Sequence, residues 1–231
     1  MSRPTWACMG LHGRYVEIGM WDVTLQKLAD RSPPPKPCAV TLGLWPNIDQ
    51  NQDFIESGSF QRLSFLRYFH YLKLPKAIVA HPPDRHREMI AKIFAQYEIP
   101  LIVDHEIVRP EIKDSTLYEN DTLGYAEVRI PWIRSSSALE LTQLVEKFDN
   151  NSSLAALYLE FPLGQKACGL FCEHAENLGF FFSGVMPCAF GTAAGIRLQR
   201  LTCDAQFSLQ KIGDPFGRDL LTYVAGEAKT L

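Results

Sequence analysis

The chain has 231 residues, 46% hydrophobic and 21% charged, the balance of a globular protein with room for one large core or two smaller ones. Its 23 Lys and Arg are scattered among 26 Asp and Glu, for a net charge of -3 and a pI near 6.1, which argues against nucleic acid or an acidic membrane surface as partners. No apolar run approaches the ~20 residues of a membrane span, and "MSRPTWACMG" lacks the apolar centre of a secretory leader, so the cytoplasm is the expected compartment.

In chain order, "GRYVEIGMW" reads as a strand and "VTLQKLAD" as a short helix. In "RSPPPKP", Pro33, Pro34, Pro35 and Pro37 forbid regular helix and sheet. "CAVTLGLWP" is the next strand, Asn47 to Ser59 a polar loop, and "RLSFLRYFHYL" a further apolar strand. In "HPPDRHREMIAKIFAQYEIP", Asp84 is placed to cap a helix whose Met89, Ile90, Ile93, Phe94 and Tyr97 form an apolar stripe. The polar "RPEIKDST", residues 109 to 116, is the expected boundary between two units, 1–110 and 111–231.

Beyond it "YAEVRIPWI" alternates as a strand with Val128, Ile130 and Trp132 on one face. "SSSALELTQLVEKFDNN" follows as a helix packing Leu141, Leu144, Val145 and Phe148, then the strand "LAALYLEFPL" and the helix "QKACGLFCEHAENLG". That helix is expected to stop at Gly179, the residue suited to a left-handed C′ position, and Phe180 to Met186 to continue as a buried strand. "GIRLQRL" is the last strand, and Asp214 before Pro215 signals a capped final helix. The expected core of this second unit is Trp132, Leu144, Phe148, Leu157, Leu159, Phe171, Leu178, Phe181, Val185 and Leu198. The order β-α-β-α-β-β-α argues for an α/β fold with a mixed β-sheet flanked by helices.

Cys8, Cys38, Cys168, Cys172, Cys188 and Cys203 stand in apolar contexts without a disulfide framework spacing, which predicts free and mostly buried thiols. Cys168 and Cys172 share a helix face but have no partner pair nearby in sequence, and read as core. His81, Asp84 and His86 in "HPPDRH" are an inventory of metal ligands, but two prolines stiffen the segment and no further ligand stands close in sequence. The expectation is no metal. His70, among the aromatics of "LRYFHYL", reads as a hydrogen-bonded core or edge histidine.

The junction "AENLGFFFSGVMP" resembles the helix-to-strand passage that closes the sheet beside the acyl-CoA cleft in GNAT acetyltransferases. More broadly, "LYLEFPLGQKACGLFCEHAENLGFFFSGVMP", "IRLQRL" and "DPFGRDLLTYV" resemble GNAT-like proteins found with bacterial anti-sigma-factor-type serine kinase domains. "GLHGRYVEIGMWDVTLQKLAD", "VTLGLWP", "RLSFLRYFHYLKLP" and "PPDRHREMIAKIFAQYEIP" resemble the preceding region of the same proteins. The resemblance implies two GNAT-like units, each a mixed β-sheet flanked by helices, the first of them partial.

It also implies where an acyl-CoA pyrophosphate would sit: on a glycine-rich turn between a strand and the next helix, whose backbone N–H groups face the phosphates. Here that place is "IPWIRSSSALEL", where Arg134 precedes Ser135, Ser136 and Ser137 and no glycine occurs. Serines N-cap a helix well and can also face an anion. In the first unit the resemblance starts after the corresponding strand and turn. The tyrosine acid common in the family on the helix before the closing strand is missing, and Glu173 and His174 are the candidates left for proton transfer, although neighbours on a helix splay about 100° apart.

The implied function is a GNAT-like protein with a degenerate acyl-CoA site, acting as a regulatory or protein-interaction module in bacterial signalling. The alternative is an active N-acyltransferase using acetyl-CoA or another acyl-CoA. A protein partner or a homodimer is expected, because the strand around Arg14 to Met20 would otherwise leave an open edge; the second unit of the same chain is the nearest candidate to cover it.

Overall fold

The computed structural model describes residues 5–10, 13–19, 35–46, 62–71, 73–103, 105–107, 115–120, 122–202 and 212–229. The helix expected at "VTLQKLAD", the loop from Asn47 to Ser59 and most of the boundary from 109 to 116 lie outside them. The fold is α/β with a mixed sheet. The strands are β1 (Thr5–Gly10), β2 (Gly13–Gly19), β3 (Lys36–Pro46), β4 (Arg62–Tyr71), β5 (Ile78–Val79), β6 (Leu101–Ile102), β7 (Thr116–Asn120), β8 (Tyr125–Arg129), β9 (Ala156–Pro162), β10 (Phe181–Phe190) and β11 (Ala193–Leu201). The helices are α1 (Arg87–Ala95), α2 (Ser137–Asp149), α3 (Cys168–Asn177) and α4 (Pro215–Ala228).

Among the described residues one sheet of nine strands runs β1-β2-β4-β3-β10-β11-β9-β8-β7, and β5 and β6 form a separate parallel pair. Within the large sheet β8 and β9 are the parallel neighbours, joined by the crossover helix α2 as a parallel pair requires. Strand β2, whose edge was expected to need covering, is paired on both sides within the chain, by β1 and β4 rather than by the second half.

The register gives the sheet two unlike faces. Leu157, Leu159 and Phe161 of β9 align with Val128 of β8 and Ile196 and Leu198 of β11, all buried. Helices cover this face: Phe171 of α3 meets Phe161 edge-on with ring centroids 4.9 Å apart, and Leu66 of β4 lies under Gly217 of α4. Of the expected core, Phe148, Leu157, Leu159, Phe171, Phe181, Val185 and Leu198 are buried, while Trp132, Leu144 and Leu178 are half-buried at its margin. The stripe of α1 is buried throughout. No helix among the described residues is long and apolar enough to cross a membrane.

The opposite face is curled inward. With strands about 4.8 Å apart, a flat sheet would separate β4 and β9 by about 19 Å. Yet Phe65 of β4 packs with Ala156 and Tyr158 of β9. The curl is made at the seam between β3 and β10, where one backbone bridge joins Gly184 to Ala39. Gly184 has φ +141, and a Cβ there would collide with Ala39 Cα and the Cys38 carbonyl oxygen. Past the seam, the backbone of Leu42 is satisfied by side chains: its N–H donates to Gln199 Oε1 at 3.0 Å and its carbonyl accepts from the Tyr158 hydroxyl at 2.6 Å.

The helix ends follow local rules with one exception. Gly179 has φ +85, with Gly179 N–H donating to the Glu176 carbonyl and Phe180 N–H to the Ala175 carbonyl, the double closure of a Schellman end. Asp214 caps α4 by accepting from Gly217 N–H at 2.6 Å. Asp84 does not cap α1: it lies inside a single 3-10 turn, Asp84–His86, that follows the two prolines, and its carboxylate pairs with Arg87. Prolines fix the backbone entry one turn earlier than the apolar stripe suggests.

Two substitutions test this architecture in urea denaturation. Gly184→Ala is expected to cost on the order of 2 to 5 kcal/mol, from positive-φ strain and backbone overlap that no rotamer relieves. Phe181→Ala, which empties space beneath a buried ring, should cost about 3 to 5 kcal/mol. Wild-type midpoints for either variant would mean that the seam or the register differs from that described.

Candidate functional site

Three places concentrate chemistry. The first is the turn from β8 into α2. The Ser137 N–H donates to the Arg134 carbonyl at 3.1 Å, and the Arg134 N–H donates to Ser137 Oγ at 3.0 Å. Ser137 is buried, while Arg134, Ser135 and Ser136 are exposed. Ser136 stands at the N-cap position without a side-chain capping bond. Beneath the turn, buried Gln165, just before α3, accepts from the Ile133 N–H at 2.7 Å and donates to the Ile133 carbonyl at 3.4 Å. Parallel pairing of β8 with β9 persists as far as the Ile130 N–H bond to the Glu160 carbonyl, and beyond that the Gln165 amide joins the segments that follow the two strands.

Glu173 is exposed on α3. Half-buried His174 turns toward α2, with Nε2 at 3.0 Å from the Ala138 carbonyl and 3.2 Å from Thr142 Oγ1. A carbonyl can only accept, so Nε2 carries the proton in that bond, and the ring ties α3 to the first turn of α2. The two residues face different surroundings, as their adjacency on a helix requires.

The second place is the inner face. Arg129 on β8, Glu160 on β9 and Arg197 on β11 lie side by side in register, and the same row continues through Gly184 and Ala39 to Arg67 of β4. Glu160 and Arg197 are fully buried and hydrogen-bonded to each other. Arg129 Nη2 reaches Glu160 at 2.8 Å, and Arg67 Nη1 comes within 3.8 Å across the residues with the smallest side chains in the row. The Arg197 guanidinium lies 4.6 Å over the Tyr158 ring, and its Nη2 is 3.6 Å from Glu127. Burial alone would raise the Glu160 carboxyl, but the guanidiniums of Arg197, Arg129 and Arg67 outweigh it and hold it below the ordinary carboxylate value.

The third place lies on the helix face, where α3, α4 and the turn before α1 meet. His86 is fully buried and stacked on Phe182 at 4.6 Å. Its Nδ1 is 2.8 Å from the Tyr223 hydroxyl and its Nε2 is 2.5 Å from Glu176 Oε1. Cys172 Sγ is 3.8 Å from the same carboxylate oxygen. Burial and the Glu176 charge push the Cys172 thiol well above its ordinary value, and burial does the same to Cys168, so neither is poised as a nucleophile. Burial, with Glu227 adding to it, raises the Tyr223 phenol to about 12, so it stays protonated at neutral pH. Cys38, Cys168, Cys172 and Cys188 carry thiols and form no disulfide, whereas the side chains of Cys8 and Cys203 lie outside the described residues. His81, the other histidine of "HPPDRH", has Nε2 at 2.7 Å from the His105 carbonyl.

Sequence reasoning passed over Glu160, Arg197 and Glu176. Glu160 did carry a signal: it is the one charge within the apolar strand β9.

Because the Glu160 carboxyl is depressed in the folded state, its stabilising contribution is present above the unfolded value of about 4.3 and is lost as pH falls through the lower, folded value. Glu160→Gln should remove that part of the acid transition below about pH 4 and, by leaving three guanidiniums without their shared partner, cost about 3 to 5 kcal/mol at neutral pH. Urea melts of both proteins from pH 3 to pH 7 check this, and parallel pH dependences would refute the assignment.

No family model matches the chain, and neither curated proteins nor solved structures include a significant match to it.

Proposed function

We propose that the chain is a GNAT-like protein whose acyl-CoA cleft is closed by its own side chains, and that it acts as a regulatory or protein-interaction module rather than as an acyltransferase. The observation that carries this reading is the Gln165 amide on the Ile133 backbone. It ties the segment after β8 to the entrance of α3, beneath the turn where the resemblance would seat the pyrophosphate. The element order β8-α2-β9-α3-β10-β11, with β8 and β9 parallel, supports the GNAT-like half of the reading. Residues 1–110 would be the partial unit.

The serine turn supports the degenerate site as well. A phosphate grip needs several N–H groups converging on one point. Here the Ser137 and Arg134 N–H groups are used within the turn, so a pyrophosphate would lose these charge-assisted contacts. An interaction role is supported at the edge of the sheet, where β7 pairs with β8 on one side and leaves Leu117 and Tyr118 44% and 55% exposed. An exposed strand edge with apolar side chains is a surface that another strand or chain can cover.

Calorimetric titration with acetyl-CoA separates the two readings. The closed cleft predicts no saturable binding tighter than about 1 mM, equivalent to roughly 4 kcal/mol. Micromolar binding that weakens on Arg134→Ala would overturn it in favour of the active N-acyltransferase.

A further inference from the structure

The buried group at His86 has an unresolved balance of protons. Tyr223 donates its hydroxyl proton to the Arg85 carbonyl at 3.1 Å, so toward His86 it presents an oxygen lone pair. The His86 Nδ1–H therefore donates to Tyr223, and the proton of a neutral ring is thereby spent. What Nε2 then presents to Glu176 is a lone pair, 2.5 Å from a carboxylate oxygen. A cation has to lie between them. Cys172 stands one helical turn before Glu176 on the same face, and one donor atom from each of the three residues lies within 4.8 Å of the others.

We propose that His86 Nε2, Cys172 Sγ and Glu176 Oε1 form a binding site for a zinc-like divalent cation. The donor set is one that zinc accepts, a nitrogen, a thiolate and a carboxylate oxygen. The spacing is close to what is needed. Zinc bonds of about 2.0 Å to oxygen and 2.3 Å to sulfur, at a tetrahedral angle, set sulfur and oxygen about 3.5 Å apart, against 3.8 Å here. Nitrogen and oxygen must open to about 3.3 Å. Glu176 can supply that movement, since its side chain is 15% exposed while His86 is locked by Phe182 and Tyr223.

The surroundings fit the same cation. Tyr223 on Nδ1 is the outer partner that fixes a ligating histidine's tautomer and ring plane. A thiolate and a carboxylate balance the two positive charges, and the cation reverses the burial effect that otherwise keeps Cys172 protonated. Three protein ligands leave the fourth position to water on the exposed side of Glu176. The cation would link α3 to the segment preceding α1, and through Tyr223 to α4. This inference does not rest on the acyl-CoA reading.

The test uses the full chain, stripped with a chelator and titrated with Zn2+ against a chromophoric competitor. One equivalent should bind with a Kd below about 0.1 μM. Co2+ in place of zinc should give near-ultraviolet thiolate-to-metal absorption in the unmodified chain, a readout that requires no variant. Cys172→Ser should abolish that band, Glu176→Gln should weaken affinity by about 100-fold, and Tyr223→Phe by about 10-fold. A Co2+ complex without the thiolate band, absence of a tight equivalent, or zinc affinity unchanged in Cys172→Ser would each overturn the proposal and leave a proton as the bridging cation.

Discussion

A single carboxylate without access to water organises this fold. Glu160 is fully buried, and the desolvation of its charge is offset only because guanidiniums from β8, β11 and β4 converge on it. Such a cluster tolerates no slip: moving one strand by a residue would send its arginine to the helix face. Reach is equally constrained. Arg67 arrives from four strands away, so the sheet must bend, and it can bend only where Gly184 lets β10 approach Ala39. The curl, the register and the small residues at the seam are thus one requirement seen three ways.

Helix α3 links the candidate sites. Gln165 sits at its entrance and joins the segments that follow β8 and β9; Cys172 and Glu176 face the buried His86; His174 leans on α2; and the double closure at Gly179 delivers the chain into β10. The helix presents different residues to each neighbour because successive side chains rotate by about 100°. A shift of α3 along its axis would therefore disturb the Gln165 bridge and the His86 group together, so the two places are coupled through one helix although their chemistry differs.

Features set by neighbours in sequence were legible. The stop at Gly179, the Asp214 cap, the buried face shared by Cys168 and Cys172, and the alternation of strands and helices after residue 116 all follow from patterns a few residues long. What escaped depends on distant segments meeting. His86 stands with His81 and Asp84 in one short stretch and Cys172 with Cys168 in another, and the fold places His86 and Cys172 around Glu176. Glu176 itself was within reach, being spaced i,i+8 from Cys168 and i,i+4 from Cys172 on one face. Asp84 was misplaced because a capping pattern does not show that the prolines before it have already started a turn.

The seam between Gly184 and Ala39 also has a history within each molecule. Strand β3 is made long before β10, the strand that will lie against it, the bridged positions 39 and 184 being 145 positions apart in sequence. At translation speeds of about 5 to 20 residues per second, that separation corresponds to a delay on the order of ten seconds. During it the strand "KPCAVTLGLWP" has β4 on one side and no native neighbour on the other. An apolar strand left waiting in this way invites pairing with another chain, and a ribosome-associated holdase would find its substrate there.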